Sequence, residues 1–245
     1  MNGSSLSHAA KQLLPERIRR EIKVACGVPD TEACLARLKR CGFRPTVAID
    51  VGAYSGEWTR SLLRLFPGTR VLMIEPQETM RPQLSLLASS CPGLELAATL
   101  LGPHSAGSVG FFESATASSV LQDENHHEPP STFLPMTTLD AIVGKKRFPA
   151  PDLIKLDVQG YEIEILKGAG HSLNSVEVVQ MEVNLIPIYQ GAPLAHEAIQ
   201  FMAGRGFQVY DIGAFFRRPF DNALWQMDVF FARSSSALLA SKRWS

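Results

Sequence analysis

The chain has 245 residues, 45% of them hydrophobic and 20% charged, and its 24 lysines and arginines balance 24 aspartates and glutamates to a net charge of +0. That length holds one substantial α/β domain with a peripheral segment. The charge balance excludes the basic footprint of a nucleic-acid binder or of a protein held on anionic membrane.

Cys26, Cys34, Cys41 and Cys91 form no C-x-x-C pair, which points to reduced thiols in a cytoplasmic protein rather than to disulfides or zinc. Residues 1–10 lack the apolar core of a signal peptide, and no run reaches the ~18 apolar residues of a membrane helix.

In chain order, residues 7–25 and 31–41 read as helices, with Leu13, Leu14, Ile18, Ile22 and Val24 at helical spacing and a break at Pro29-Asp30-Thr31. Residues 1–42 are therefore expected as a helical segment beside a main domain at 43–233, serving as a lid or a homodimer element. Strands are expected at 46–51, 70–75, 94–101, 153–158, 176–183, 207–212 and 226–232, and helices at 56–65, 79–90, 160–168 and 193–205. This alternation predicts a doubly wound, mostly parallel seven-stranded sheet. The stretch 107–150 breaks the rhythm, with a hairpin candidate at 108–113, a small polar patch at 116–119 and an acidic loop at 122–132. No helix separates the last two strands, so they form an antiparallel edge hairpin. Residues 234–245 read as a flexible tail.

Ala48-Ile49-Asp50-Val51-Gly52-Ala53-Tyr54-Ser55-Gly56 reads as a buried strand, a glycine turn and a helix start. Glu75-Pro76 ends the next strand, about 20 residues beyond the turn, as in a Rossmann-type βαβ unit that grips an adenosine-bearing cofactor. A dinucleotide site needs glycines where the backbone meets the pyrophosphate. Here the middle glycine of G-x-G-x-x-G is missing and Tyr54 fills the space. Asp50 would repel phosphate and welcome an ammonium group. S-adenosylmethionine fits better: it has no phosphate, carries an α-amino group and a sulfonium, and offers ribose hydroxyls to Glu75. Gly52, Ala53, Tyr54, Ser55 and Gly56 would form its cradle. Leu100 and Leu101 would face the adenine, next to Pro76, and the Ser118 and Ser119 hydroxyls could reach its carboxylate or simply make a turn.

The segment Asp152-Leu153-Ile154-Lys155-Leu156-Asp157-Val158-Gln159-Gly160-Tyr161-Glu162-Ile163-Glu164-Ile165-Leu166-Lys167-Gly168-Ala169 resembles the signature of the FkbM family of S-adenosylmethionine-dependent methyltransferases. Thr137-Thr138-Leu139-Asp140, Ile49-Asp50-Val51-Gly52-Ala53, Ile74-Glu75-Pro76 and Val179-Gln180-Met181-Glu182-Val183 resemble further elements of that family, in order across residues 43–232. Gln159 departs from the commoner glutamate at its position. The resemblance implies a Rossmann-like class I methyltransferase fold and O-methyl transfer to a small-molecule or sugar hydroxyl, as in natural-product biosynthesis.

Methyl transfer to a hydroxyl needs alignment of the reacting groups and removal of a proton. Asp157, at its strand tip, can favour a sulfonium, orient an acceptor hydroxyl or cap the following helix; Glu162 and Glu164 read as solvated. Glu182 is either a base or a core carboxylate paired with Lys155 or a backbone amide. His126 and His127 sit in the polar loop, and His127 is a further base candidate. Asp123, Glu124, His126, His127 and Glu128 lie close together but lack helical i, i+4 spacing, so no metal is expected. Two rivals remain: a nicotinamide-dependent oxidoreductase, disfavoured because no tyrosine has a lysine four residues later, and a non-catalytic cofactor-binding protein.

Overall fold

Largely apolar runs form the centre of the sheet, as strands covered on both faces require. Every residue of β1 (Val47–Val51) and of β8 (Val178–Asn184) is buried. The computed structural model describes residues 18, 26–125, 128–241 and 243. The helix expected at 7–25 therefore lies, apart from Ile18, outside the described residues.

The remaining main-sheet strands are β2 (Arg70–Ile74), β3 (Leu94–Ala97), β7 (Leu153–Leu156), β9 (Phe207–Arg217) and β10 (Leu224–Arg233). Their order is β3-β2-β1-β7-β8-β10-β9. All neighbours are parallel except β10, which runs antiparallel to both β8 and β9. The seven-stranded sheet with an antiparallel edge hairpin thus matches the sequence expectation.

Two helical layers cover it. Helices α1 (Thr31–Arg40), α2 (Glu57–Leu65) and α3 (Arg81–Ser90) bury Leu35, Leu38, Leu62 and Leu84 against Ala48, Met73 and Phe230. On the opposite face α4 (Leu139–Lys146), α5 (Glu162–Lys167) and α6 (Ala195–Gly204) pack Leu139, Leu166 and Met202 on Ile49, Ile154 and Val179. Helix α1 is integral to the first layer: Asp30 caps it by accepting from Ala33 N, and Arg37 pairs with Asp211 of β9 at 2.6 Å.

The stretch 94–150 differs from expectation. Strand 94–101 divides, with β3 in the main sheet and β4 (Leu100–Leu101) in a second, three-stranded sheet. There is no local hairpin at 108–113. Instead β5 (Ala106–Phe111) pairs antiparallel with β6 (Thr132–Thr137). Helix α4 was not foreseen; Thr138 caps it, and the Asp140 carboxylate accepts from His171 N, Ser172 N and Ser172 Oγ. Just after β10, Ser234 N donates to Gly206 O and Ser236 Oγ to Glu177 Oε1.

Gly168, just after α5, presses on the start of the second sheet: a Cβ there would lie 2.3 Å from Gly102 O. Gly168→Ala should force that backbone apart and cost about 1–3 kcal/mol. Urea unfolding of the variant measures this, and an unchanged midpoint would show that the two segments separate freely.

Candidate active site

The turn after β1 is built by backbone bonds to β2. Gly52 N and Ala53 N both donate to Ile74 O, Tyr54 N donates to Glu75 Oε2 at 2.8 Å, and Gly56 N donates to Ala53 O. Gly52 has φ +72°, and a Cβ on it would lie 2.0 Å from Asp157 O, so only glycine fits between β1 and the exit of β7. Glu75 is 4% exposed and its other oxygen accepts from Gln77 N at 2.9 Å. Burial raises its pKa, against the lowering effect of those amides.

Lys155 pins this turn from below. Its Nζ donates to Gly52 O at 2.7 Å and Val51 O at 3.3 Å, and lies 3.2 Å from Asp50 Oδ1 and 3.7 Å from Asp157 Oδ2. Burial opposes the ammonium charge, but the Asp50 and Asp157 carboxylates outweigh it and hold the lysine pKa above its usual value. Asp50 is fully buried, and its Oδ2 accepts from Thr59 Oγ1 at 2.7 Å. The expectation that Asp50 meets an ammonium group at the strand tip is therefore corrected. Residue 50 lies inside β1, facing α2, with Lys155 and Thr59 already against its carboxylate.

Beside Lys155 lies a chain of amides and carboxylates. Gln159 Nε2 donates to Asp157 Oδ1 at 3.0 Å and to Glu182 Oε2 at 2.9 Å, while Gln159 Oε1 accepts from Tyr189 Oη at 2.8 Å. Gln226 Nε2 also donates to Glu182 Oε2 at 2.9 Å. Glu182 is thus held by two glutamines and not by Lys155. Burial first, then the Asp157 charge, pushes its pKa well up. Asp157 is not a helix cap, because Tyr161 occupies the N-cap of α5. The carboxylate that closes this turn is Glu162, which accepts from Val158 N at 2.9 Å and Gly160 N at 3.2 Å. Glu162 is 3% exposed, against the expectation of a solvated side chain, and burial raises its pKa to about 7.

A cavity of about 820 Å³ opens over the C-terminal strand ends. It brings together Gly52, Ala53, Tyr54, Ser55, Glu75, Pro76, Leu101, Ser118, Ser119 and Asp157. Asp50, Gly56 and Glu182 do not line it. Ser118 Oγ donates to Ala115 O and Ser119 Oγ to Gln159 O, so both hydroxyls are engaged in shaping the loop. His127 lies outside the described residues, and among the described residues no group of three side chains is arranged to hold a metal ion. Sequence reasoning missed Trp58, Gln180 and Asp228, which line the same cavity. A charged residue between the apolar Met227 and Val229 of a strand was the available signal for Asp228.

Strand order, the glycine turn and the acid closing β2 together define a Rossmann-like class I methyltransferase fold. A model of the methyltransferase FkbM domain matches residues 50–209, and the chain belongs to that family. The hexuronic acid methyltransferase AglP of Haloferax volcanii is 27% identical over 116 residues, 46% of this chain and 47% of that protein. The match thus spans about half the length of that curated relative. Among solved structures, the precorrin-6y C5,15-methyltransferase of Geobacter metallireducens is 13% identical, with 82% of this chain and 87% of that chain covered and a TM-score of 0.45. The 1,6-didemethyltoxoflavin-N1-methyltransferase of Burkholderia thailandensis, bound to S-adenosylhomocysteine, is 14% identical, with 83% and 76% covered and a TM-score of 0.47.

The raised Glu162 pKa has a measurable sign. The unfolded carboxyl titrates at 4.5 and the folded one at about 7. Its stabilising contribution is complete below pH 4.5 and is lost as pH rises through 7, a change on the order of 3 kcal/mol. Glu162→Gln keeps an acceptor for the two amides and removes the titration. Thermal unfolding across pH 4.5–8 should show a flatter profile for the variant; parallel profiles would disprove the assignment.

Proposed function

We propose that this methyltransferase uses S-adenosylmethionine to methylate a hydroxyl of a small molecule or glycosyl unit. One observation carries the cofactor assignment. The amides of Gly52, Ala53, Tyr54 and Gly56 are all engaged with Ile74, Glu75 and Ala53, so the turn offers no nest of free N–H groups for a pyrophosphate. What lines the cavity beside it is acidic: Glu75 and Asp157. That donor set suits a nucleoside with ribose hydroxyls and a positive charge, and it does not suit NAD.

In this reading Glu75 accepts from the ribose hydroxyls. Leu100, Leu101 and Pro76 flank the adenine. The turn from Gly52 to Ser55 receives the amino-acid portion, and Asp157 faces the cationic centre. When bound, S-adenosylmethionine supplies a methyl group already activated on positively charged sulfur. The work left to the chain is to align the acceptor, worth ~7–11 kcal/mol, to exclude water and to remove the acceptor's proton. The sugar acceptor draws support from the hexuronic acid methyltransferase to which the chain is similar.

Isothermal calorimetry with S-adenosylhomocysteine, S-adenosylmethionine and NAD tests the cofactor. The first two should bind and NAD should not; NAD binding alone would overturn the reading. At 100 times its dissociation constant the homocysteine product should stabilise the fold by about 2.7 kcal/mol. Glu75→Ala should weaken that binding about 10- to 100-fold through loss of hydrogen bonds to a charged group. Unchanged affinity would remove Glu75 from the ribose site. Methyl glucoside and methyl glucuronide are the acceptor probes, read by mass increase of a methyl group.

A further inference from the structure

We infer that Asp228 of β10 takes the proton from the acceptor hydroxyl, in a second subsite roofed by α1. The inference rests on the O-methyltransferase reading and assigns its acceptor end.

The cavity reaches well past the nucleoside end. From β2, which Glu75 follows, to β10 the sheet crosses β1, β7 and β8, four strand spacings or about 19 Å. At the far end the lining changes to Trp58, Gln180, Asp228 and Ala214, with Thr31 and Leu35 of α1 above them. At about 820 Å³ the space lies near the top of the ~300–1,000 Å³ range of small-molecule sites, as two adjoining ligands require.

Asp228 lies deep in the protein yet is open to this void, being half-buried at the surface of the cavity. Thr31 Oγ1 donates to its Oδ2 at 2.9 Å, fixing one oxygen. Trp58 Nε1 donates to Gln180 Oε1 at 2.8 Å, which fixes the neighbouring amide and sets the indole in the wall. The acceptor that fits is a hydroxylated ring small enough to lie along Trp58. Two neighbouring acids are engaged elsewhere. Glu182 does not line the cavity and is held by Gln159 and Gln226, and Asp157 is in ion contact with Lys155 and accepts from Gln159.

The charged groups around Asp228 are Lys155 and Asp157 from β7 and its exit, Glu182 opposite it on β8, Asp30 and Glu32 at the start of α1, and Glu57 and Arg64 of α2. Burial, and then the Asp157 charge, raises the Asp228 pKa to about 6, with Thr31, Lys155 and Gln180 opposing. Near neutral pH the carboxylate is ionised and still basic enough to act. In the step, the acceptor O–H bond breaks and the proton joins a carboxylate oxygen of Asp228. The electron pair stays on the acceptor oxygen, and Asp228 later returns the proton to water.

The experiment compares wild type, Asp228→Asn and Thr31→Val, using methyl glucoside and methyl glucuronide as acceptors. S-adenosylhomocysteine calorimetry runs alongside as a readout independent of turnover. Wild type should show an acid limb near pH 6, and Asp228→Asn should bind the homocysteine product like wild type, lose about 10²- to 10⁴-fold in kcat/KM and lack that limb. Thr31→Val removes a hydrogen bond to the ionised form, so its acid limb should move to higher pH. Wild-type kcat/KM in Asp228→Asn, loss of homocysteine-product binding in that variant, or an unmoved limb in Thr31→Val would overturn the assignment. Product binding without methylation of either probe by wild type would instead count against the hydroxyl reading of the function.

Discussion

A single buried ammonium group organises this site. Lys155 is the cation to which two strand ends, β1 and β7, and the glycine turn between β1 and α2 all refer. Its position follows from register: Lys155 is the direct neighbour of Asp50 across the β1–β7 pair and of Gln180 across β7–β8. Burying a lone charge is costly, and removing one partner of a buried pair typically costs about 3–5 kcal/mol. The lysine is tolerable here only because Asp50 offsets its charge and two carbonyls take its protons. The converse also holds: Asp50 is acceptable in the middle of an otherwise apolar strand because Lys155 and Thr59 approach its oxygens.

This arrangement separates two kinds of acid. Asp50 is spent on holding the turn. Asp157 and Asp228, further along the same side of the sheet, face the cavity with their charge only partly offset. The void is therefore mostly acidic, with Lys155 at its floor and Arg64 also in its lining, an environment that favours a positively charged ligand. Two strained residues flank the same place. Tyr54 at φ +43° and Gln159 at φ +59° are non-glycine residues in the left-handed region, and each lies at a strand exit that shapes the cavity. Gln159 keeps that conformation because its side chain bridges Asp157, Glu182 and Tyr189 at once.

The main sheet was legible because its central strands are covered on both faces and so read as largely apolar runs; the expected and observed ends of β1, β2 and β10 differ by no more than two residues. The second sheet was not. Strand β6 is half-exposed and carries Pro135, which ordinarily marks an edge or an irregular segment. Here it sits in the central strand, opposite the register shift between Ala106 and Val109, where a missing N–H does no harm. The roles of acids were read least well. Glu162 reads as a solvated helix residue until the amides of Val158 and Gly160 are seen to need it. Asp228 carries its meaning only through α1, which arrives from nearly two hundred positions earlier in the chain.

The two ends of the cavity are closed by different physics, and that difference gives the site its direction. The Glu75 end is roofed by the second sheet, where Leu100, Phe111 and Met136 form a small apolar cluster of their own. An apolar roof is non-directional and suits a flat base, which needs area more than orientation. The other end is roofed by α1, tied down by the directional bonds of Thr31 to Asp228 and Arg37 to Asp211. A polar roof holds one carboxylate in one orientation, which is what a proton transfer demands. Apolar recognition at one end and fixed charge at the other would set two ligands nose to tail across the ends of β1, β7 and β8, with the Lys155 pin beneath their junction.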